Sequence, residues 1–222
     1  MGVKKPLVSI IMNCYNSDRF LREAIESVYS QTYSNWEIIF WDNASTDDSE
    51  NIAKSFDDRI KYYQASETTL LGEARNLALS KVSGEYVAFL DCDDLYLTGK
   101  LERQVELMQS KDYAMCYGSV AIINESGKEV KKDIVKNKSG NIFSSLLRRY
   151  EINMQTVMLK RDFVISNHLS FNTSMSYCPD HNLLMTIASK VDVGVITDVV
   201  AKYRIVSNSL SKKTIDIAPQ EY

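Results

Sequence analysis

Short apolar runs alternate with amphipathic segments through the first ninety residues of the chain. Leu7 to Met12 (LVSIIM) is a continuous apolar run of strand length, followed by a polar turn through Asn13, Cys14, Tyr15, Asn16 and Ser17. Phe20, Leu21, Ala24, Ile25 and Val28 then recur at helical spacing, which predicts a helix with one buried face. Asn16 or Ser17 can cap it, and Asp18 suits its positive end. Trp36 to Trp41 (WEIIFW) predicts a second strand, stopped by Asp42 and Asn43. Ser45, Thr46, Asp47 and Asp48 are capping-type residues ahead of a helix bearing Ile52, Ala53 and Phe56. Ile60 to Gln64 predicts a short third strand, and Gly72 to Val82 a helix of small residues that can lie close to a sheet. Tyr86 to Leu90 predicts a fourth strand. The order β-α-β-α-β-α-β calls for a largely parallel sheet with right-handed crossovers.

Past Asp94 the pattern loosens. Leu101 to Met108 reads as an amphipathic helix and Met115 to Ile123 as a strand. Asn124 to Lys128 is turn chemistry able to close a hairpin. Residues 128–141 are Lys-rich and polar, which predicts a mobile loop. A helix over Ile142 to Tyr150, a strand over Thr156 to Leu159, a helix over Asp180 to Ser189 and one or two strands over Val193 to Tyr203 complete the reading. The expected class is α/β, with a nucleotide-binding half over residues 1–98 and a substrate half over 99–222.

The fourth predicted strand ends in Leu90-Asp91-Cys92-Asp93-Asp94. Open α/β sheets bind ligands at the carboxyl ends of their strands, where these acids fall. Three carboxylates in four positions repel one another unless a cation joins them. A hard divalent cation does so and keeps positions open for phosphate oxygens. A helix cap explains one acid of the run, not three. Tyr15 offers an aromatic face for a base, or is a half-exposed turn tyrosine. Asp42 stands at the same edge and can accept from a base or ribose, or cap the next helix. Arg75 suits phosphate or carboxylate oxygens, or pairs with a surface acid such as Glu73.

Composition narrows the class rather than the chemistry. The 222 residues are 45% hydrophobic and 25% charged, ordinary for a globular protein with a full core. A net charge of −3 argues against nucleic acid as a partner. The four cysteines (Cys14, Cys92, Cys116 and Cys178) have no zinc-ligand spacing and read as reduced thiols in a cytoplasmic setting. Two histidines, His168 and His181, exclude a His-rich metal site. The eight glycines form neither a dinucleotide fingerprint nor a phosphate loop. No apolar run reaches membrane-spanning length.

Taken together, Pro6 to Ile11, Tyr15-Asn16, Trp41 to Ser49, Ala74-Arg75-Asn76, and Gly84 through Asp94 resemble the family 2 glycosyltransferases. A weaker likeness continues through Ser174 to Leu183 and through Tyr203 to Ser211. The resemblance implies the GT-A fold and inverting transfer of a sugar from a nucleotide-sugar donor. Tyr15, Asp42, Arg75 and Asp91 would then hold a UDP-type donor, and Asp93 would hold Mn²⁺ or Mg²⁺ on its diphosphate. Asp180 would be the catalytic base toward a saccharide or lipid-linked saccharide acceptor. Synthesis of a bacterial surface polysaccharide, lipopolysaccharide or glycan is the expected setting. Two departures stand out. Pro179 replaces a common Glu, and Val206 replaces a common His. A sugar nucleotidyltransferase and a non-catalytic nucleotide-binding module are the rival readings. The first would want a Gly-rich activating loop that Asn13 to Ser17 does not supply. The basic residues Lys131, Lys132, Lys136, Lys138, Arg148 and Arg149 leave peripheral contact with an anionic membrane open, although acids interrupt them and a solvated loop is the plainer reading.

Overall fold

The computed structural model describes residues 5–174 and 179–206. Cys178 and the stretch from Ser207 to Ser211 lie outside the described residues. The first four predicted strands form as β1 (Val8–Cys14), β2 (Trp36–Asp42), β3 (Ile60–Gln64) and β4 (Tyr86–Phe89). They pair in parallel in the order β3-β2-β1-β4. The chain therefore steps outward from β1 to β3 and returns to the other side of β1 as β4. That reversal leaves a crevice outside the carboxyl ends of β1 and β4, the usual ligand position in such sheets.

The sheet continues as β8 (Met158–Lys160), β6 (Met115–Ile123), β9 (Gly194–Arg204) and the two-residue β5 (Leu95–Tyr96), with β7 (Glu129–Asp133) off β6. β8 runs antiparallel to both neighbours, whereas β6 and β9 are parallel, so this half is mixed. The parallel expectation describes the first half.

Alternation along the strands divides the core into two layers. Val8, Ile10, Met12, Ile38 and Phe40 face α1 (Asp18–Tyr29), α2 (Ser49–Lys54) and α4 (Lys100–Lys111). Ile11, Ile39, Trp41, Val87 and Phe89 face α3 (Leu71–Leu79), α5 (Phe143–Arg148) and α7 (Pro179–Ala188). Each fully buried Ile or Leu in these layers stabilises the fold by about 1.5–3 kcal/mol. A sixth helix in chain order, α6 (Arg161–Ser166), follows β8 and buries Val164.

Two local expectations are corrected. Neither Asn16 nor Ser17 caps α1 with its side chain; Asp47 does so from across the edge, accepting the Asp18 N–H at 2.9 Å. The same carboxylate accepts the Ser49 N–H at 3.1 Å, so one acid serves the starts of α1 and α2. Burial alone would raise its pKa, but these bonds outweigh it and lower it. The Lys-rich stretch 128–141 is not loop throughout, because Glu129–Asp133 pairs antiparallel with β6. All five β7 residues are exposed, so no apolar alternation marks the strand.

Candidate functional site

At the β1–β4 switch point the chain leaves β1 through Tyr15, which is 53% exposed, and Asn16, whose φ of 48° turns the backbone. Asn16 accepts the Thr46 N–H at 2.8 Å and donates its own N–H to Ser45 at 3.0 Å. The turns after β1 and β2 are thereby locked together. Asp42 ends β2, fully buried. Its Oδ1 accepts the Ser45 N–H at 2.8 Å and its Oδ2 the Tyr62 hydroxyl at 2.6 Å. Both oxygens thus already serve the protein, and Tyr62 is a partner that sequence reading did not supply.

The acidic run turns sharply, with the Asp94 N–H donating to the Asp91 carbonyl at 3.1 Å. Asp94 is buried and structural. Its Oδ1 accepts the Arg204 N–H at 2.8 Å, while its Oδ2 has no hydrogen-bond partner among the described residues. Burial, then the charges of Asp91 and Asp93, push its carboxyl well above the usual range. The guanidinium of Arg204 donates to the Asp93 carbonyl at 2.9 Å and to Glu23 at 2.6 Å, over the Phe20 ring. Asp93 is pushed up to about 6, first by burial and then by Asp91, with Arg204 opposing. It is a carboxylate short of positive charge.

Among the described residues no three His, Cys, Asp or Glu side chains gather as a metal cage. Mg²⁺-type sites, however, use one or two carboxylates and complete their shell with phosphate oxygens and water. Asp93 beside the 43%-exposed Asp91 side chain fits that chemistry.

Asp180 reaches this edge through Arg75. The buried guanidinium donates from Nη2 to Asp91 Oδ1 at 3.3 Å and lies with Nη1 3.5 Å from Asp180 Oδ1. Its neighbours make the approach possible. A Cβ on Gly72 would stand 2.3 Å from the Asn172 carbonyl and 3.1 Å from Pro179 Cβ, so glycine lets α7 start against α3. Asn76 clamps Phe171 from both sides, donating to its carbonyl at 2.9 Å and accepting its N–H at 2.8 Å. Phe171 lies edge-on to Phe89 and 5.6 Å below the Arg75 guanidinium. Gly72 and Phe171 were not singled out from the sequence, and Asn76 entered only as part of the Ala74-Arg75-Asn76 motif. The spacing Gly72-x-x-Arg75-Asn76 was the available signal. Pro179 opens α7 at a position that suits proline and packs on Gly72, which accounts for it physically. His181 packs against Tyr150 with ring centroids 4.5 Å apart and the planes tilted by 50°.

A depression of about 640 Å³ includes Asp112, Lys160 and Asp162 in its lining. Lys160 pairs with Tyr86 at the start of β4, so this hollow lies at the far end of the strand from Asp91. The chemistry-bearing side chains converge on the carboxyl edge instead.

Residues 9–175 match the model of glycosyl transferase family 2. The chain belongs to that family. Among its relatives is an Escherichia coli protein named UDP-Glc:alpha-D-GlcNAc-diphosphoundecaprenol beta-1,3-glucosyltransferase WfgD. The two are 33% identical over 92% of this chain and 79% of that protein. A Rickettsia felis glycosyltransferase is 35% identical over 89% of this chain, which spans only 33% of that longer protein. Staphylococcus aureus TarS (residues 1–349, with UDP-GlcNAc) superposes with a TM-score of 0.77 at 19% identity, over 91% of this chain and 59% of that one. The Pyrobaculum calidifontis mannosyltransferase PcManGT, with GDP-Man and Mn²⁺, gives 0.70 at 20% identity over 96% and 61%. At such identities the likeness speaks for the fold, and it is the GT-A fold. This member of family 2 has Tyr15, Asp42, Asp91 and Asp93 at the carboxyl edge of its sheet. Arg75 joins Asp91 to Asp180. No described helix is long and apolar enough to cross a membrane.

Proposed function

We propose that the chain is an inverting, metal-dependent glycosyltransferase that moves a sugar from a UDP-type donor to an acceptor hydroxyl. The observation that carries this reading is the Arg75 bridge, which holds Asp91 and Asp180 on one guanidinium although ninety residues separate them. Residues 1–98 would bind the donor and 99–222 the acceptor. Tyr15 would stack on the base, and its exposure suits that contact. Asp42 would shape the base pocket through the Ser45 turn. Each Asp42 oxygen accepts one bond from the protein and keeps a second lone pair that a base N–H could use. Asp91 would meet the ribose, and Asp93 would ligate Mn²⁺ or Mg²⁺.

When bound, that cation supplies positive charge to the leaving diphosphate. Asp180, with a side chain 19% exposed, would take the acceptor proton as the hydroxyl oxygen attacks the anomeric carbon. The bond to the diphosphate breaks with its electron pair leaving on the diphosphate, and the anomeric configuration inverts. Arg75 fixes the direction of the Asp180 carboxylate during this attack. The family and the WfgD relative support a saccharide or lipid-linked saccharide acceptor in bacterial surface polysaccharide, lipopolysaccharide or glycan synthesis. Release of nucleoside diphosphate across a panel of UDP- and GDP-sugars, with and without chelator, tests the proposal. Turnover of a UDP-sugar that chelator abolishes and Asp93→Ala removes is expected. Donor binding and turnover indifferent to both would overturn the metal role, and no turnover of any donor would overturn the enzyme reading.

A further inference from the structure

Residues 128–149 carry seven Lys or Arg against two Asp or Glu, a local excess of +5. The whole chain is −3, which leaves −8 on the remainder. In sequence the cations are scattered, and β7 brings Lys131 and Lys132 to one exposed edge of the sheet, one on each side of the strand. Just beyond it, the Lys136 and Asn137 N–H groups both donate to the Glu151 carboxylate at 3.0 Å. Glu151 also accepts the Tyr117 hydroxyl at 2.8 Å, so the clamp is anchored in β6. It sets Lys136 beside the segment bearing Arg148 and Arg149. Val135, Ile142 and Leu146 tie the same stretch into the core. Lys132 pairs with Glu129 at 3.7 Å; among the described residues Lys131, Lys136, Arg148 and Arg149 have no carboxylate partner.

Apolar side chains stand among these charges. Val130 is 60% exposed, Ile134 48% and Leu147 65%. Single exposed apolar residues are ordinary. Three set within a cationic excess, on a chain that is otherwise acidic, match the two components of interfacial membrane binding. We propose that this segment docks on an anionic lipid bilayer. Its Lys and Arg meet lipid phosphates, and Val130, Ile134 and Leu147 enter the headgroup region. The −8 elsewhere turns the rest of the molecule away from the same surface. Tyr150, next after Arg149, packs on His181, and α5 packs on α7, whose first turn holds Asp180. A docked molecule therefore has the candidate base near the lipid. That last step rests on the transferase reading, whereas the docking itself does not.

Co-sedimentation of the full chain with phosphatidylcholine vesicles, with and without phosphatidylglycerol and in the absence of donor, tests the docking. Binding is expected only to the anionic vesicles, weakening as salt rises. Each cation near such a surface contributes roughly fivefold, so the triple variant K131A/K136A/R148A should lose on the order of a hundredfold in affinity. Its melting temperature should be unchanged. If the triple variant unfolds, R148E on the exposed end of α5 replaces it, with a loss of at least about fivefold expected. Equal binding to neutral vesicles, no binding to either, or an unchanged affinity in a folded variant would overturn the proposal. So would displacement from vesicles by an RNA oligomer at lower concentration than lipid, which would assign the segment to nucleic acid. None of these outcomes bears on donor turnover, so failure here leaves the transferase reading standing.

Discussion

Arg204 and Arg75 are almost equally buried, at 2% and 4% exposure, and both grip the acidic run after β4. They do so in opposite ways. Arg204 donates to backbone carbonyls of Asp93, Asn124 and Glu125 and to Glu23, a set that closes the loop around Asp94. Arg75 meets two carboxylates at 3.3 and 3.5 Å, and both remain partly open to solvent. A charge surrounded by fixed carbonyls holds structure. A charge shared between two solvent-reachable acids leaves those acids free to meet ligands. Burial alone would have classed the two arginines together; the identity of their acceptors separates them.

The comparison breaks first, and most severely, at Arg204. Arg204→Ala strips the buried loop of its counter-charge and should cost about 3–5 kcal/mol in denaturant unfolding. A third buried cation sharpens the contrast. Among the described residues the Lys100 ammonium has only Gln104 and the Tyr96 ring as partners, and burial pushes its pKa down to about 7. The folded state then binds fewer protons than the unfolded state between about pH 7 and the unfolded value near 10.4. Stability from this group therefore rises with pH across that window. Lys100→Met should stabilise the protein by roughly 4 kcal/mol below pH 7, with the gain fading as the pH approaches about 10. Paired melts of the two proteins across pH cancel the other titrations. A difference that stays constant with pH would contradict the assignment.

Smaller changes address the bridge itself. Gly72→Ala would force the Asn172 carbonyl and Pro179 away from α3, at about 1–3 kcal/mol, and should depress transfer more than donor binding. Arg75→Met should cost only about 1–2 kcal/mol, because Asp91 and Asp180 can take water instead. Its transfer rate should nevertheless collapse. If Arg75→Met proved as destabilising as Arg204→Ala, the distinction between the two arginines would fail.

Much of the parallel half of the sheet was legible in the sequence because its signals are local. The runs at Leu7 to Met12 and Trp36 to Trp41 are buried on both faces of a parallel sheet, and they read as strands without context. The acidic run drew notice because three acids together need a reason. What stayed hidden depends on long-range partners or on missing contrast. β7 is exposed on every residue and carries no alternation. β5 is two residues long and exists only because β9 pairs with it. The Arg204 grip on Asp94 spans 110 residues, and the Tyr62 bond to Asp42 spans 20. Gly72 read as part of a small-residue helix, since its purpose is visible only once Asn172 lies against it.

The central claim is that Asp180, held by Arg75 at the donor edge, removes the acceptor proton. Its most direct test is Asp180→Asn, which keeps the shape and an oxygen facing Arg75 but removes the base. Donor affinity should be unchanged while transfer falls by about 10²–10⁴-fold. Transfer at the wild-type rate with donor bound normally would contradict the account.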